Sequence, residues 1–349
     1  MSKIKPISVI LTDTHLKKDN LILVESIFEQ AFQLAIKLNC YKVLHAGDWF
    51  TDRVGQNLQT LLCLKRILNR AFELKISVEG ISGNHDKTDQ NSEDSYLDIF
   101  DNYKGFRLHR NSEQPLFLDD YGMTISFLSF FTLSYNERLS NISKKLKLLE
   151  YEKNILITHV GVNGVKNNDG SEVTEGIAQS DFKFFDKVLI GHYHDASKIG
   201  DNIHYIGSSY QANFGENITD KGFTVLYSDG SLKFFKSKFK KYIKVKLDAS
   251  DNSSIQNELE LHKDSEDNVR FIFQGKKTDI DKINLSKFTD EGIDCKFEVD
   301  ELNEELFDAE TNDFTQLDDK QILKHFFEYC KIQNVDSEKR RLGMKFLKL

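Results

Sequence analysis

Long apolar runs, paired cysteines and an excess of positive charge are all missing from this sequence. No apolar stretch approaches the roughly 20 residues that a membrane-spanning helix needs, and Met1–Pro6 lacks the apolar region of a secretory signal. The four cysteines are scattered and form no Cys-x-x-Cys pair, so we expect buried apolar thiols and no disulfides. These absences together predict a cytoplasmic protein.

The net charge of −8 does not favour a general nucleic-acid binder, and it does not exclude one. Bound divalent cations add positive charge that a residue count ignores, and a local basic patch can act alone. The 349 residues, 39% of them hydrophobic, predict a globular chain of about two domains with room for a large core.

Five short apolar runs each lead into residues that can bind a metal ion. Their length and their glycine and polar boundaries predict buried strands, and in an open α/β sheet ligands collect at the carboxyl ends of the strands. Acids, an amide and histidines that arrive there together indicate a two-metal site, and therefore metal-assisted phosphoester chemistry. The runs and the residues after them are Ile7–Leu11 with Asp13 and His15, Lys42–Leu44 with Asp48, Ile76–Ser82 with Asn84 and His85, Ile155–Thr158 with His159, and Lys187–Gly191 with His192 and His194.

The donor types limit which metals suit this site. Asp13 and His15 are two residues apart at a strand end, so their side chains point the same way and can reach one ion. Asp48 has two carboxylate oxygens and could bridge two ions. Oxygen and nitrogen donors without a thiolate suit Mn²⁺, Fe²⁺ or Zn²⁺, whereas Mg²⁺ alone is more usually held by carboxylates and water. The remaining histidines are expected to have no catalytic role: His45, His109, His204, His262 and His325.

Strand-like and helical patterns alternate over the first two-thirds of the chain, which predicts an α/β fold with parallel strands. The expected helices are Asn20–Asn39, Asn57–Lys75 and Arg138–Glu152. Short hairpin strands are predicted at Lys198–Ile206 and Phe223–Phe235, the second with a turn at Asp229-Gly230.

A second, smaller unit is expected after a polar linker at Asp248–Ser254. Its predicted strands are Val269–Phe273 and Cys295–Val299, with a helix at Ile280–Leu285. An acidic stretch then leads to a capping box with Asp in place of the usual Glu, at Thr315 and Asp318. It opens a helix whose apolar face carries Ile322, Leu323, Phe326, Phe327 and Cys330, and a basic segment, Glu338–Leu349, ends the chain.

The strand-end motifs, taken in order, resemble the signature of the calcineurin-like metallophosphoesterases. Each motif alone is weak evidence, since a single Asp-x-His or Gly-Asp is usually chance or a turn. The matching elements are Asp13-Thr14-His15, Gly47-Asp48, Gly83-Asn84-His85-Asp86, His159 and Gly191-His192-Tyr193-His194. The resemblance implies a four-layer αββα sandwich.

The resemblance also implies a role for each residue of the site. One ion takes Asp13, His15, Asp48 and His194, and the other takes Asp48, Asn84, His159 and His192. A water or hydroxide between the two metals is then the nucleophile that attacks phosphorus. His85 stands at the position of the transition-state stabiliser or general acid, and Asp86 is expected to orient its imidazole.

A second segment resembles a narrower family, the SbcD-type recombination and repair nucleases that pair with an SMC-like ABC ATPase. The segment is Tyr205–Glu216, followed by Lys221-Gly222-Phe223. The resemblance implies a Mn²⁺-dependent DNA exonuclease or single-strand endonuclease, in DNA repair or recombination, that forms a homodimer. The predicted helix Asn57–Lys75 could serve as the dimer contact, and its apolar face could equally belong to the core. The resemblance also divides the chain into a nuclease domain (1–240), a capping domain (241–305) and a helical ATPase-binding segment (306–349).

Two positions depart from the narrower family, Thr51 and Ser209, and the first leaves the activity open, whereas Ser209 in place of a common proline is expected to matter little. Many relatives have a histidine where this chain has Thr51, and that histidine helps to direct exonuclease cleavage. Exonuclease activity is therefore less expected than endonuclease activity, although Arg53 could donate to phosphate from a neighbouring position. Two alternatives stay open: a stand-alone phosphodiesterase for nucleotides or cyclic nucleotides, and a scaffold with a vestigial metal site.

A lysine-rich segment between the two predicted units has two interpretations. The lysines could form a ridge that contacts phosphates, or they could be the solvated face of a strand whose aromatic residues point inward. The lysines are Lys233, Lys236, Lys238, Lys240, Lys241, Lys244 and Lys246, and the aromatic residues among them are Phe234, Phe235, Phe239 and Tyr242. The apolar face of the C-terminal helix is equally open, because it could bind a partner groove or pack on the chain itself.

Overall fold

The computed structural model of the chain describes residues 4–110, 115–166, 171–216 and 221–299, together with Phe326, Phe327 and Cys330. Its strands are β1 Pro6–Leu11, β2 Lys42–His45, β3 Ser77–Gly80, β4 Phe106–Leu108, β5 Leu116–Leu118, β6 Met123–Leu128, β7 Lys153–His159, β8 Lys187–Gly191, β9 Ser197–Ile199, β10 Ile203–Tyr205, β11 Gly222–Tyr227, β12 Leu232–Lys236, β13 Tyr242–Asp248, β14 Asn268–Gly275 and β15 Asp294–Val299. The α-helices are α1 Leu21–Leu38, α2 Leu58–Glu73, α3 Tyr135–Lys147, α4 Asn252–His262, α5 Lys277–Ile280 and α6 Ser286–Thr289.

The strands form two six-stranded sheets and one three-stranded sheet, β13-β14-β15. The first sheet has the order β12-β11-β1-β2-β3-β4, with β1 to β4 parallel and β11 and β12 antiparallel. The second has the order β5-β6-β7-β8-β10-β9, with β6, β7, β8 and β10 parallel. The predicted parallel strands and the hairpin of β11 and β12 are confirmed. The parallel register brings the carboxyl ends of neighbouring strands to the same edge of each sheet.

Three apolar clusters stack the two large sheets between helices. Phe28 of α1 shares one cluster with Val9 of the first sheet. Ile10 of the first sheet shares a second with Ile157 of the second sheet, and Leu139 of α3 lies in the third, on the outer face of that sheet. The layers are therefore helix, sheet, sheet and helix, which confirms the predicted four-layer α/β sandwich.

The first two helices begin and end close to the predicted residues. The Asn57 side chain accepts a hydrogen bond from the backbone N–H of Thr60 (3.0 Å) and so caps the start of α2. Asn39 follows α1 with a φ of 54°, a left-handed conformation that asparagine tolerates better than most residues. Both ends follow from local side-chain chemistry, which is why the sequence predicts them well.

Two other helix predictions need correction. Helix α3 begins three residues before the predicted Arg138–Glu152 and ends earlier, because Glu150 takes a left-handed φ of 53° and turns the chain towards β7. The predicted helix Ile280–Leu285 is wrong, since the one-turn helices α5 and α6 lie on either side of that segment. Asp281 and Asn284 interrupt it, and short polar side chains favour turns over helix interiors.

Packing divides the chain into two compact units, each made of separate segments. The larger contains Met1–Val245, Glu258–Phe271 and Leu285–Cys295, and the smaller contains Lys246–Asn257, Ile272–Asn284 and Lys296–Leu349, the last described only in part. Helix α4 begins inside the expected linker Asp248–Ser254. The domain boundaries near 240 and 305 stay predictions. The C-terminal helix and the basic segment after it lie outside the described residues, apart from Phe326, Phe327 and Cys330, which are helical.

Three of the four cysteines are buried as expected, whereas Cys295 is only half-buried. All four cysteines are free, and Cys40, Cys63 and Cys330 are buried. Burial raises the pKa of the Cys40 thiol to about 11 and that of Cys63 to about 12, so both stay protonated at neutral pH. Among the described helices, none is long and apolar enough to cross a membrane.

A buried carboxylate, Glu79 on β3, joins two cationic or polar partners across the first sheet. Its Oε2 lies 2.8 Å from Nε2 of His109, and its Oε1 pairs with the ammonium of Lys42 on β2. Burial alone raises the pKa of Glu79, but these two partners outweigh burial and lower the pKa to about 2. The ionised carboxylate therefore stabilises the folded state.

We predict that Glu79→Gln removes an acid-sensitive part of the stability. Since the folded-state pKa lies below the unfolded value of 4.5, this stability is full above about pH 4.5 and is lost as the pH falls towards about 2. The loss amounts to roughly 3 kcal/mol. Urea unfolding at several pH values should show this loss for the wild type and for Glu73→Gln, an exposed control, and not for Glu79→Gln. Equal acid sensitivity in all three proteins would contradict the assignment.

Candidate metal centre

The five predicted strand ends meet at one place in the larger unit. Leu11 at the end of β1 is level with His45, and His45 at the end of β2 is level with Gly80. In the second sheet, His159 at the end of β7 is level with Gly191. All seven residues expected to bind metals, together with His85, lie just beyond or at these ends, because parallel strands in register present their carboxyl ends together.

Four of the seven expected ligands have backbone conformations that residues other than glycine rarely adopt. The φ angles are 52° for Asp13, 41° for His15, 56° for Asp48 and 94° for His192. Such conformations cost about 1–3 kcal/mol each and persist only where the surroundings impose them. Backbone hydrogen bonds do so here, from Asp13 N to the Gly47 carbonyl (3.0 Å) and from His15 N to the Asp48 carbonyl (3.1 Å).

One group of donors consists of Asp13, His15 and His194, whose potential ligand atoms all lie within 4.8 Å of one another. Nε2 of His15 lies 3.1 Å from Nε2 of His194 and 3.6 Å from Oδ2 of Asp48. Two imidazole nitrogens face each other at this distance, and at most one of them can hold the proton between them. A shared cation suits such a pair better than a hydrogen bond does.

A second group consists of Asp48, His159 and His192, again within 4.8 Å of one another. Oδ2 of Asp48 lies 3.3 Å from Nε2 of His159. The amide oxygen of Asn84 lies 3.1 Å from that nitrogen and 3.1 Å from Nδ1 of His192. The carboxylate of Asp48 therefore faces both groups.

The electrostatics of the two groups fit divalent cations. Burial lowers the pKa of both His15 and His192 to about 4, so these imidazoles are neutral and can act as ligands at pH 7. Burial also lowers the pKa of His159, but the nearby charge of Asp48 outweighs it and raises the pKa to about 9. The same field attracts a metal ion, and the oxygen and nitrogen donors suit Mn²⁺, Fe²⁺ or Zn²⁺.

Hydrogen bonds between the sheets hold the donors in place. His159 Nδ1 donates to the carbonyl oxygen of Ala46 (2.8 Å), which leaves Nε2 facing Asp48. The backbone N–H of His192 donates to the carboxylate of Asp13 (3.0 Å). At Gly83, a Cβ atom would collide with the carboxylate of Asp48, so only glycine allows this approach.

The surroundings of His85 differ from the expectation. Its Nδ1 lies 2.6 Å from the carbonyl oxygen of Thr51, to which it donates, and its Nε2 lies 2.9 Å from Nη2 of Arg53. The carboxylate of Asp86 instead accepts hydrogen bonds from the backbone N–H groups of Phe50 (3.0 Å) and Gly83 (2.8 Å). The expectation that Asp86 orients the His85 ring is therefore wrong, because Asp86 is turned inward to fix the two loops.

Two charged residues behind His194 have a role that the sequence did not assign. Glu216 Oε1 accepts a hydrogen bond from His194 Nδ1 (2.8 Å), and Glu216 Oε2 lies 3.2 Å from Nζ of Lys221. The fully buried ammonium of Lys221 also donates to the His194 carbonyl (2.6 Å) and to the Ser208 hydroxyl (3.0 Å). Both residues belong to the segment that carries the narrower resemblance, which was the available signal.

Other histidines have structural environments. His45 stacks on Trp49 with ring centroids 3.9 Å apart, and its Nε2 lies 3.1 Å from the Thr14 hydroxyl. His109 is bound to Glu79, and His262 lies 3.5 Å from Glu258 one helical turn away. These contacts lie apart from the two donor groups, while His325 is outside the described residues.

We predict that Glu216→Gln weakens divalent-cation binding at the group containing His194 by about 10–100-fold, because the carboxylate fixes the tautomer and orientation of that imidazole. Calorimetric titration of the metal-free protein with Mn²⁺ should show one weakened site and one site of wild-type affinity. The exposed Glu175→Gln serves as the control. Equal weakening of both sites would show a general loss of structure instead.

Comparisons with known proteins identify the family of the chain. The calcineurin-like phosphoesterase family profile matches residues 8–196, more than half of the chain. A curated relative, the SbcD component of nuclease SbcCD from Staphylococcus epidermidis, is 26% identical over an alignment of 211 positions that covers 53% of this chain and 54% of that protein. The chain thus matches about half the length of this relative.

Solved structures show more distant likeness. The calcineurin-like phosphoesterase YfkN of Bacillus subtilis is 15% identical with a TM-score of 0.38, over 68% of this chain and 90% of that one. A dimetal phosphatase of Danio rerio is 10% identical with a TM-score of 0.45, over 64% and 93% of the two chains. Nuclease MPE of Pseudomonas putida is 12% identical with a TM-score of 0.29, over 64% and 85%. On the profile match, the chain belongs to the calcineurin-like phosphoesterases, which are metal-dependent hydrolases.

Proposed function

We propose that this chain is a Mn²⁺-dependent DNA nuclease, the catalytic component of a recombination or repair complex with an SMC-like ABC ATPase. The observation that carries the proposal is the pair of donor groups that share the carboxylate of Asp48. The curated relative is part of a nuclease, which supports nucleic acid as the substrate. The resemblance at Tyr205–Glu216 supports the ATPase partner.

The proposed metal ligands follow the two donor groups. Asp13, His15, Asp48 and His194 hold one ion, and Asp48, Asn84, His159 and His192 hold the other. When bound, the two ions supply an activated water as nucleophile and neutralise the charge on phosphate. The mixed oxygen and nitrogen donors favour Mn²⁺ over Mg²⁺.

His85 and Arg53 are proposed to bind the phosphate on the open side of the site. Both line the same cavity as the donor groups. Because His85 Nδ1 donates a hydrogen bond to the Thr51 carbonyl, the other ring nitrogen lies beside the guanidinium of Arg53. Arg53 forms no ion pair with any carboxylate among the described residues, so it is available to a phosphate oxygen. His85 stabilises the transition state or protonates the leaving oxygen.

The homodimer is proposed to form through α2. Leu58, Leu62 and Phe72 on this helix are exposed by 68%, 41% and 51%. Three large exposed apolar side chains on one helix are consistent with burial against a second copy. The helical ATPase-binding segment at 306–349 stays a proposal from the resemblance.

We predict that Asp48→Asn abolishes cleavage of single- and double-stranded DNA and removes both calorimetric Mn²⁺ sites, since both donor groups lose their shared carboxylate. His85→Asn should keep both sites while kcat falls by about 10²–10⁴-fold, because a group that acts on the transition state is lost. Cleavage by Asp48→Asn would disprove the ligand assignment. Potential ligand atoms of His15, Asp48 and His85 also lie within 4.8 Å of one another. Loss of a metal site in His85→Asn would therefore show that His85 is a ligand.

We predict that Arg53→Ala lowers kcat/KM for DNA by about 10–100-fold without changing Mn²⁺ affinity, because one charge-assisted contact to phosphate is lost. Arg53→Lys should recover only part of the loss, since lysine cannot donate in the same forked geometry. Arg107→Ala on the edge strand β4 is the matched control. A kcat/KM within about twofold of the wild type for Arg53→Ala would exclude Arg53 from substrate binding.

A further inference from the structure

The donor groups lie in a cavity of about 1060 Å³. Small-molecule sites usually enclose about 300–1,000 Å³, so this space is generous for a single mononucleotide. The cavity lining also includes the segment Lys238–Lys240 and the loop that contains Lys17 and Lys18. Two groups of lysines therefore share one cavity with the donor groups.

Positive charge dominates the cavity lining, although the whole chain carries a net charge of −8. Two of the three acids in the lining are engaged: Asp48 in the donor groups and Glu216 with His194 and Lys221. Asp19 is the third, set against the cationic residues Lys17, Lys18, Arg53, Lys238 and Lys240. Within the described part of the chain, none of those five cations is paired with a carboxylate.

Two glutamine side chains hold the backbone beneath Lys238 and Lys240. The Gln30 amide donates to the Lys238 carbonyl (2.8 Å) and accepts from the Lys238 N–H (2.7 Å). The Gln211 amide makes the same two-way contact with Tyr242, at 3.0 Å and 2.8 Å. The segment is therefore anchored on both sides of the lysines.

Alternation along this segment separates the lysines from the aromatic residue between them. Phe239 is half-buried and packs against the core that contains α1. Its neighbours Lys238 and Lys240 are exposed and line the cavity. Lysines elsewhere in the run, such as Lys233 and Lys244, are also exposed but do not line it. Only part of the lysine-rich segment thus faces the donor groups.

We propose that Lys238 and Lys240, together with Lys17 and Lys18 of the same cavity, form a subsite for backbone phosphates of a DNA strand whose scissile phosphate lies at the donor groups. The inference rests on the proposed nuclease function and deepens it, because it names the residues that hold the strand away from the scissile phosphate. Unpaired lysines on an anchored backbone bind phosphates without reading sequence. The subsite increases affinity for long strands over small diesters.

The test compares Lys238→Gln/Lys240→Gln with the matched double variant Lys233→Gln/Lys244→Gln. Glutamine keeps most of the side-chain length and removes the charge, and all four lysines are exposed, so both proteins should fold alike by circular dichroism. Binding of a fluorescent oligothymidylate of about twelve nucleotides is followed by anisotropy in EDTA at several salt concentrations. The cleavage assay measures kcat/KM for that strand relative to bis-p-nitrophenyl phosphate, with Mn²⁺.

Loss of two phosphate contacts should weaken oligothymidylate binding about tenfold at low salt and reduce the slope of log K against log salt by about 1.4, at about 0.7 per contact. The preference for the long strand over the small diester should fall by about the same tenfold factor. The control variant should match the wild type in both measurements. An unchanged slope and preference in Lys238→Gln/Lys240→Gln, or an equal change in the control, overturns the subsite.

The two levels of the proposal fail separately. If the wild type binds the strand with a slope that depends on Lys238 and Lys240 but cleaves neither substrate, the subsite stands and the proposed nuclease function is wrong. If the wild type cleaves DNA and the double variant cleaves and binds it equally well, the nuclease function stands and the subsite is wrong.

Discussion

The candidate metal centre depends on the contacts that the carboxylate of Asp48 makes with residues of both sheets. It follows Gly47 in a left-handed turn at the end of β2, and its Oδ1 accepts the backbone N–H of His85 at 2.9 Å. Its Oδ2 faces His15 at 3.6 Å and His159 at 3.3 Å, which come from different sheets. One carboxylate thus positions the loop of the proposed catalytic histidine and both donor groups, so these parts cannot move independently.

The sequence predicts which residues come together at the site, because the carboxyl ends of parallel strands lie at one edge of a sheet. Residues such as Asp13, Asn84 and His159 follow apolar runs, and strands in parallel register end at one edge. That prediction needs only the positions of the apolar runs and the polar residues that follow them. They are not enough at Asp86 and Arg53, where direction matters: one side chain turns inward to backbone N–H groups, and the other reaches His85 from a different loop.

The segment Tyr205–Glu216 contains no proposed ligand, yet it supports the centre from behind. Tyr210 donates to the Thr14 carbonyl (2.7 Å) and so holds the loop of Asp13 and His15. Gln211 anchors Tyr242, and Glu216 holds His194. These contacts join residues far apart in the chain and depend on loop paths that local patterns do not encode. Tyr210, Gln211 and Glu216 of this segment therefore each have a defined partner around the centre.

The first strand of the chain lies inside its sheet, with β2 on one side and β11 on the other. Since Pro6 pairs with Tyr227, the second neighbour of β1 leaves the ribosome about 220 residues later, which at about 5–20 residues per second is a delay of some 10–40 s. During that interval one hydrogen-bonding edge of β1 has no native partner. His194, which lies beside Asp13 in the folded protein, has also not been made for most of this time. An unpaired strand edge is a template for pairing with another chain, so β1 is open to such pairing until β11 has been made.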